Sequence, residues 1–266
     1  MEVNAPVVDE KEDFQGISIF RRRSNDLEHF MISNSDFIFV VSTALKNYYT
    51  CRYNIRSQNI AVIHNAVNPG NMQIDAAKVE KLKQQYQLYS FPIIGFAGSI
   101  LYWHAIDVLI DAFDEVVKIH KQAMLLIVGD GQDVARLKEK VFKAGLRGKI
   151  LFTGNIPPDE ISSYIALMDI TVLPGTKWYC SPMKLFEYAA QKKPVIAPNT
   201  DPVCEIMESK VDGLLIKSEK DSLYKALITL IENSKYAAKL AESFHDKVAA
   251  RFTWEKNALN ILSRFR

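Results

Sequence analysis

A chain of 266 residues with 48% hydrophobic and 24% charged residues can bury a substantial core in one or two domains, and its formal net charge of +2 gives no basic surplus for a nucleic-acid partner. Arg21-Arg22-Arg23 is too short a run to change that and reads as a solvated loop, while the widely separated Cys51, Cys180 and Cys204 make neither a CxxC pair nor a metal set with histidines. No apolar run is long enough to span a membrane and the N-terminus lacks the basic-then-apolar order of a signal peptide, so the expectation is a reducing, cytoplasmic setting with at most peripheral membrane contact.

Residues 1–26 are polar and irregular, with Asn4-Ala5-Pro6 as turn-like punctuation; Ile17, Phe20, Leu27, Phe30 and Met31 recur at roughly helical intervals and predict a helix over 11–32. Residues 36–41 form an apolar, β-rich run ending at Ser42-Thr43, which caps a helix through Leu45 and Tyr48-Tyr49. A strand at 60–63 leads into the turn-rich stretch from His64 to Gly70, the expected domain boundary, and then a polar helix at 75–87.

From Phe91 onward strands and helices alternate. Strands are predicted at 92–97, 123–128, 149–152, 170–173, 194–197 and 214–216, and helices near 105–120, 132–144, 158–168, 182–191, 202–208, 220–232 and 235–250. Apolar strands alternating with amphipathic helices imply an α/β domain, a parallel sheet covered on both faces. Ligands of such sheets bind outside the carboxyl ends of the strands, which gathers Gly98-Ser99, Gly129-Asp130-Gly131, Gly154-Asn155-Ile156, the stretch from Pro174 to Ser181, and Asn199-Thr200-Asp201 at one edge. A last helix begins at Phe252-Thr253-Trp254-Glu255 and carries Trp254, Leu259, Ile261, Leu262 and Phe265.

The stretch from Tyr179 to Ala190 holds the most chemistry. Ser181 suits an N-cap and Pro182 the first helical position, so a helix start with unpaired N–H groups should face the strand ends and attract phosphate. Ser181, Lys184 and Glu187 then share one face, with Met183, Phe186 and Ala190 on the buried one. A lysine there can neutralise a diphosphate, and a carboxylate one turn on can accept hydrogen bonds from ribose hydroxyls; a solvated Lys–Glu pair on a surface helix is the alternative. Gly98 allows close backbone approach and Ser99 adds a hydroxyl, whereas His104 can donate to a phosphate oxygen or serve the fold. Gly129-Asp130-Gly131 makes a tight turn into the next helix. Glu205 follows a second cap pair, Asp201-Pro202, and sits at the donor edge or complements a helix dipole.

In their order these segments resemble the C-terminal, donor-binding part of a family-four retaining glycosyltransferase of the GT-B fold, one of the glycosyl transferases group 1. The resemblance runs through Gly98 to Asp107, Ile127 to Gly131, Phe152 to Pro157, Asp169 to Pro174, Ser181 to Ala190, Lys193 to Ala197 and Asp212 to Leu215, while Asn65-Ala66-Val67-Asn68 resembles the family's interdomain turn. It implies a Rossmann-like donor domain at 91–250, a remnant of a second Rossmann-like, acceptor-binding domain at 1–66, a linker and helix at 67–90, and a C-terminal helix, 251–266, returning to the N-terminal part. The function implied is transfer, with retention, from a nucleoside-diphosphate sugar to an unidentified acceptor, in polysaccharide biosynthesis. The nucleotide sugar is a substrate and no cofactor or metal is implied; a separate N-terminal acceptor-domain chain is the expected protein partner.

Lys184 would contact the diphosphate and Glu187 the ribose, with the base near Gly154-Asn155-Ile156. Further donor contacts are expected at Gly98, Ser99, His104, Gly129, Asp130, Tyr179, Ser181, Pro182, Met183 and Glu205. The chain departs from the family at four places. Ser99 and His104 stand where the family has a phosphate-binding Arg and Lys, Tyr179 stands at the first acid of its Glu-x7-Glu motif, and Asn199-Thr200-Asp201-Pro202 replaces a Gly-rich loop. The alternative function is a catalytically inactive nucleotide-binding or interaction module; a GT-B sugar-nucleotide epimerase fits the Ser181 to Tyr188 run less well, and a nicotinamide dehydrogenase lacks its glycine fingerprint.

Overall fold

Short runs of Val, Ile, Leu and Phe become parallel strands in the computed structural model, which describes residues 1–15, 20–89 and 92–264. Ile17, Phe91 and Phe265, counted in the sequence reading, lie outside the described residues. The chain groups into two units: residues 1–65 with 177–181 and 200–205, and residues 66–176 with 182–199 and 206–266.

The first unit holds strand β1 (Glu2–Val3), helices α1 (Val7–Gln15) and α2 (Arg21–Ser33), strand β2 (Ile38–Val40), helix α3 (Thr43–Tyr53) and strand β3 (Ile60–Val62). The strands pair in parallel in the order β1-β2-β3, with Glu2 opposite Phe39 and Ile38 opposite Ile60. Val3, Ile32, Ile38, Val40, Leu45 and Tyr49 form its apolar core. Ser42 caps α3 as predicted, its hydroxyl accepting from Leu45 N at 3.1 Å.

Two expectations fail in this unit. The single helix over 11–32 is two helices, and Leu27, Phe30 and Met31 are exposed while Glu28 and Ile32 are buried. Glu28 is inside because its carboxylate accepts from Val7 N (3.1 Å), the Tyr49 hydroxyl (2.9 Å) and the Tyr53 hydroxyl (2.5 Å). Strand β1 was read as irregular; two residues carry no alternation to detect.

The second unit opens with α4 (Ala76–Tyr86), capped by Asp75 accepting from Lys78 N, and continues with β4 (Ile93–Ala97), α5 (Ile106–Ile119), β5 (Met124–Val128), α6 (Val134–Lys143), β6 (Ile150–Phe152), α7 (Ile161–Ala166), β7 (Ile170–Val172), α8 (Met183–Ala190) and β8 (Val195–Pro198). A single turn, α9 (Asp201–Cys204), falls in the first unit; β9 (Leu214–Ile216), α10 (Lys220–Glu232), α11 (Ser234–Arg251) and α12 (Trp254–Ser263) complete the second. Its sheet is parallel throughout, in the order β6-β5-β4-β7-β8-β9, with Ile93 opposite Met124 and Ile94 opposite Ile170. The switch in strand order between β4 and β7 places the ends of β4, β5 and β7 where α/β sheets hold ligands.

The helix predicted at 202–208 is only α9, with Thr200 in the cap position and Asp201 as its first residue, so Asp201 does not cap. Thr253 does cap α12, accepting from Lys256 N at 3.3 Å. The apolar residues of α12 are not a packed face: Trp254, Leu259 and Leu262 are exposed and Asn257 is its buried residue. Val67 N donates to Phe252 O at 3.1 Å. Among the described residues no helix is long and apolar enough to cross a membrane.

Candidate functional site

Strand β4 ends at Ala97, and Gly98 turns the chain with a φ of 137°, a conformation that side-chain-bearing residues rarely adopt. The space its Cβ would occupy holds the Lys184 side chain, whose Cε would lie 2.5 Å away. Gly129, at the end of β5, has a φ of 124°, and a Cβ there would overlap the Gly98 carbonyl oxygen. Backbone bonds tie these loops together: Gly98 N to Val128 O at 2.9 Å, Ile100 N to Asp130 O at 2.9 Å and Gly129 N to Gly154 O at 3.1 Å. Asp130 Oδ1 accepts from Gly131 N at 2.7 Å and closes the tight turn expected there. The result is a cleft of about 150 Å³ lined by Gly98, Ser99, Gly129, Asp130, Asn155 and Ile156. The predicted loop residues of this unit therefore do come together.

Helix α8 starts later than expected. Pro182 holds the cap position with extended backbone (φ −71°, ψ 117°), no side chain caps the helix, and Met183 is the first helical residue. Ser181 does not cap because its hydroxyl accepts from Asn65 N (3.1 Å) and its carbonyl from Asn65 Nδ2 (2.7 Å). Its side chain is buried, so the expected ligand contact from the Ser181 hydroxyl is not available. The buried face is Leu185, Phe186, Tyr188 and Ala189; Met183, expected on that face, is exposed at the first position of the helix. Tyr188 is fully buried and its hydroxyl accepts from Ala97 N at 2.8 Å, satisfying a strand-end donor.

Lys184 Nζ lies 5.3 Å from the centroid of Phe96 and 3.4 Å from His104 Nε2. His104 is buried, with Nδ1 2.7 Å from the Ser99 carbonyl oxygen. A carbonyl only accepts, so Nδ1 carries the proton and Nε2 presents its lone pair to the Lys184 ammonium. Burial, and then Lys184, lower the His104 pKa to about 3. His104 is thus neutral and faces the lysine as an acceptor, which corrects the expectation that it donates to a phosphate.

Glu187 is partly buried one turn beyond Lys184, and burial raises its carboxyl above the ordinary range against the opposing pull of Lys184. Among the described residues no hydrogen bond to the Glu187 carboxylate is found. Among the described residues no cluster of His, Cys, Asp and Glu could hold a metal ion.

The remaining predicted residues belong to the first unit. Tyr179 is buried; its hydroxyl donates to Glu10 Oε1 at 2.9 Å and its carbonyl accepts from Ser42 Oγ at 2.8 Å. Sequence reasoning had no means of finding Glu10, which lies 169 positions away. Glu205 accepts from Thr43 N with both carboxylate oxygens (3.1 Å each) and from the Thr43 hydroxyl at 3.0 Å, with His64 Nε2 3.4 Å away. Glu205 ends α9 instead of complementing its start, and its carboxylate serves the first turn of α3, where Thr43 N lacks a partner within its own helix.

A sequence profile described as Glycosyl transferases group 1 matches residues 78–246. Curated relatives include a 2-deoxystreptamine glucosyltransferase of Streptomyces kanamyceticus, 32% identical over 118 residues, 44% of this chain and 30% of the relative. An uncharacterized glycosyltransferase of Methanocaldococcus jannaschii is 22% identical over 244 residues, 90% of this chain and 62% of the relative. Among solved structures, Anabaena HepE in complex with UDP superposes with a TM-score of 0.79 at 21% identity, over 87% of this chain and 64% of that one. Sucrose-phosphate synthase from Thermosynechococcus elongatus superposes with a TM-score of 0.81 at 20% identity, over 100% of this chain and 66% of that one. The chain spans less than two thirds of the length of each of these proteins.

Proposed function

The chain belongs to the family of glycosyl transferases group 1, with the parallel sheets flanked by helices of the GT-B fold, and on that premise we propose that it is the donor-binding part of a glycosyltransferase. It takes a nucleoside-diphosphate sugar and transfers the sugar with retention to an acceptor held with the help of further N-terminal sequence or a separate acceptor-domain chain. One observation carries this reading: Lys184 is laid over Gly98 and faced by neutral His104, one turn from a Glu187 carboxylate to which no hydrogen-bond donor is found among the described residues.

As the glycosidic bond to the diphosphate breaks, negative charge grows on the leaving group. The Lys184 ammonium and the positive end of the α8 dipole stabilise that charge. Glu187 accepts hydrogen bonds from the ribose hydroxyls, and the base lies toward Asn155 and Ile156. Binding of UDP by the Anabaena relative supports a uridine diphosphate as the first nucleotide to try. A second reading, nucleotide binding without transfer, draws on Tyr179: it stands at the place of the family's first acid, and its hydroxyl is engaged with Glu10.

Calorimetric titration with UDP, GDP and ADP tests the donor site. One of the three should bind, and Lys184→Ala should weaken it by about 10- to 100-fold, as expected for a hydrogen bond to a charged group, while leaving the bare nucleoside unaffected. Glu187→Gln should weaken binding yet raise the melting temperature at pH 7 by about 1–3 °C, since it removes an ionised carboxylate held in a partly desolvated place. That gain should vanish below the ordinary carboxylate range, where the unfolded and folded chains both carry a neutral Glu187. Absence of binding by all three nucleotides, or equal binding by wild type and both variants, overturns the reading. Sugar release from the bound donor only on addition of an acceptor domain separates the two readings.

A further inference from the structure

The amino ends of β5 and β6, at the edge of the second sheet away from the donor loops, carry a charge pattern that donor binding does not use. Residues 134–149 hold six basic side chains against one acidic, Glu139. Three of the six are engaged with carboxylates: Arg136 with Asp133 and Asp107, Lys140 with Asp111, and Lys143 with Glu139. Lys118, at the end of α5, is likewise paired with Asp114 and Glu115. For Arg147 and Lys149, and for Lys121 in the turn before β5, no carboxylate partner is found among the described residues. Lys149 Nζ donates to the Lys121 carbonyl oxygen at 2.6 Å, which brings that ammonium onto the Lys121 turn. The Arg147 guanidinium lies 4.0 Å from the centroid of the Phe142 ring.

Apolar groups share this edge. Phe142 is 55% exposed, and Ile119, two residues before Lys121, is 59% exposed. The loop that presents Phe142 and Arg147 is held from within: Leu146 is buried, its N–H donates to Val141 O at 3.1 Å, and its carbonyl accepts from Lys149 N at 3.0 Å. The same loop projects. Gly145 and Gly148 have φ of 70° and 79°, and a Cβ on either would meet no atom within 4 Å. A fixed, convex loop fits a flat partner better than an extended peptide, which needs pockets for its side chains. Unpaired guanidinium and ammonium groups call for phosphate, and exposed phenyl and butyl groups beside them call for an apolar layer beneath it. Nucleic acid offers the first without the second; an anionic bilayer offers both. We propose that Arg147, Lys149 and Lys121, with Phe142 and Ile119, dock this edge on an anionic phospholipid surface. The proposal does not rest on the donor reading.

Flotation of the full chain with vesicles tests it, using phosphatidylcholine alone and phosphatidylcholine with about one third phosphatidylglycerol. The chain should float with the anionic vesicles and not with the neutral ones, and its affinity should fall by about tenfold or more between low and high salt. Arg147→Gln with Lys149→Gln should weaken binding to the anionic vesicles by about tenfold or more. Lys192→Gln with Lys220→Gln removes the same charge from cations paired with Glu242 and Glu115, and should leave binding unchanged. Phe142→Ser should weaken it by about fivefold, at high salt as well as low. Absence of flotation with the anionic vesicles, equal flotation with the neutral ones, or a double variant at Arg147 and Lys149 that floats like wild type overturns the proposal. Binding to soluble polyglutamate without flotation would assign the edge to an acidic protein and overturns it too. Should a variant melt below wild type, Lys121→Gln alone carries the test: weaker flotation supports the docking edge, and unchanged flotation overturns it. Whether the chain binds UDP has no bearing on these outcomes.

Discussion

Glu28 in the first unit and Glu187 in the second are both withdrawn from water, but they are treated in opposite ways. Glu28 accepts from a backbone N–H and from two tyrosine hydroxyls, whereas no hydrogen bond to Glu187 is found among the described residues and its carboxyl is raised by burial. A buried carboxylate whose partners are complete is part of the scaffold, and the donor-binding role proposed for Glu187 rests on its differing from Glu28 in this respect. The same contrast separates the aromatic residues. Tyr49 closes the core of the first unit with its hydroxyl engaged, and Trp178, in the same unit, leaves about half its surface open.

The contrast can be broken first at Glu28. Glu28→Ala leaves buried donors without an acceptor and should cost about 2–4 kcal/mol of stability, measured by urea unfolding. A cost below about 1 kcal/mol would mean that the network around Tyr49 and Tyr53 is ornamental and the comparison with Glu187 empty. Next in size is Gly98→Ala. It strains a backbone at φ 137° and drives a methyl group into Lys184, so it should cost about 1–3 kcal/mol and weaken UDP by tenfold or more in calorimetry. Unchanged UDP affinity would detach Lys184 from the site.

At neutral pH, where the folded and unfolded chains both carry a neutral side chain, the smallest effect concerns His104, which acts only as the pH falls. Its pKa of about 3 in the folded chain lies below the 6.5 of the free side chain, so the unfolded chain takes up a proton that the folded one refuses. The stability it supports is present above pH 6.5 and is lost as pH falls from there toward 3, with a slope of up to about 1.4 kcal/mol per pH unit. His104→Gln should flatten that slope in unfolding curves recorded between pH 4 and 7. An identical slope would show that His104 is not held neutral against Lys184.

Much of the second unit was legible because its strands are continuous apolar runs separated by glycine turns, and each predicted strand lies within a residue or two of its place. Lys184 and Glu187 could be named from their spacing on one helix and from the resemblance of that run to a family motif. Three things were hidden for one reason, that partners distant in sequence decided them. Ser181 looked like a cap until Asn65 claimed its hydroxyl, Glu205 looked like a donor-edge acid until Thr43 claimed its carboxylate, and Glu28 broke the apolar rhythm of α2 because tyrosines of α3 satisfy it. Glu2–Val3 is too short for any period to register. The ring contact between Trp178 and Tyr48 joins segments more than a hundred positions apart, and no local pattern marks it.

Tyr188 binds the last amide of β4 from the interior of α8, and Lys184 on the same helix fills the gap left by Gly98 just beyond that amide. Strand end and helix therefore behave as one interchangeable cassette, although some ninety residues of chain separate them. A chimera that imported residues 183–190 from another member of the family while keeping residues 93–104 would set new side chains against a bend shaped for Tyr188 and Lys184. Recombination that keeps this junction packed has to carry both segments across together.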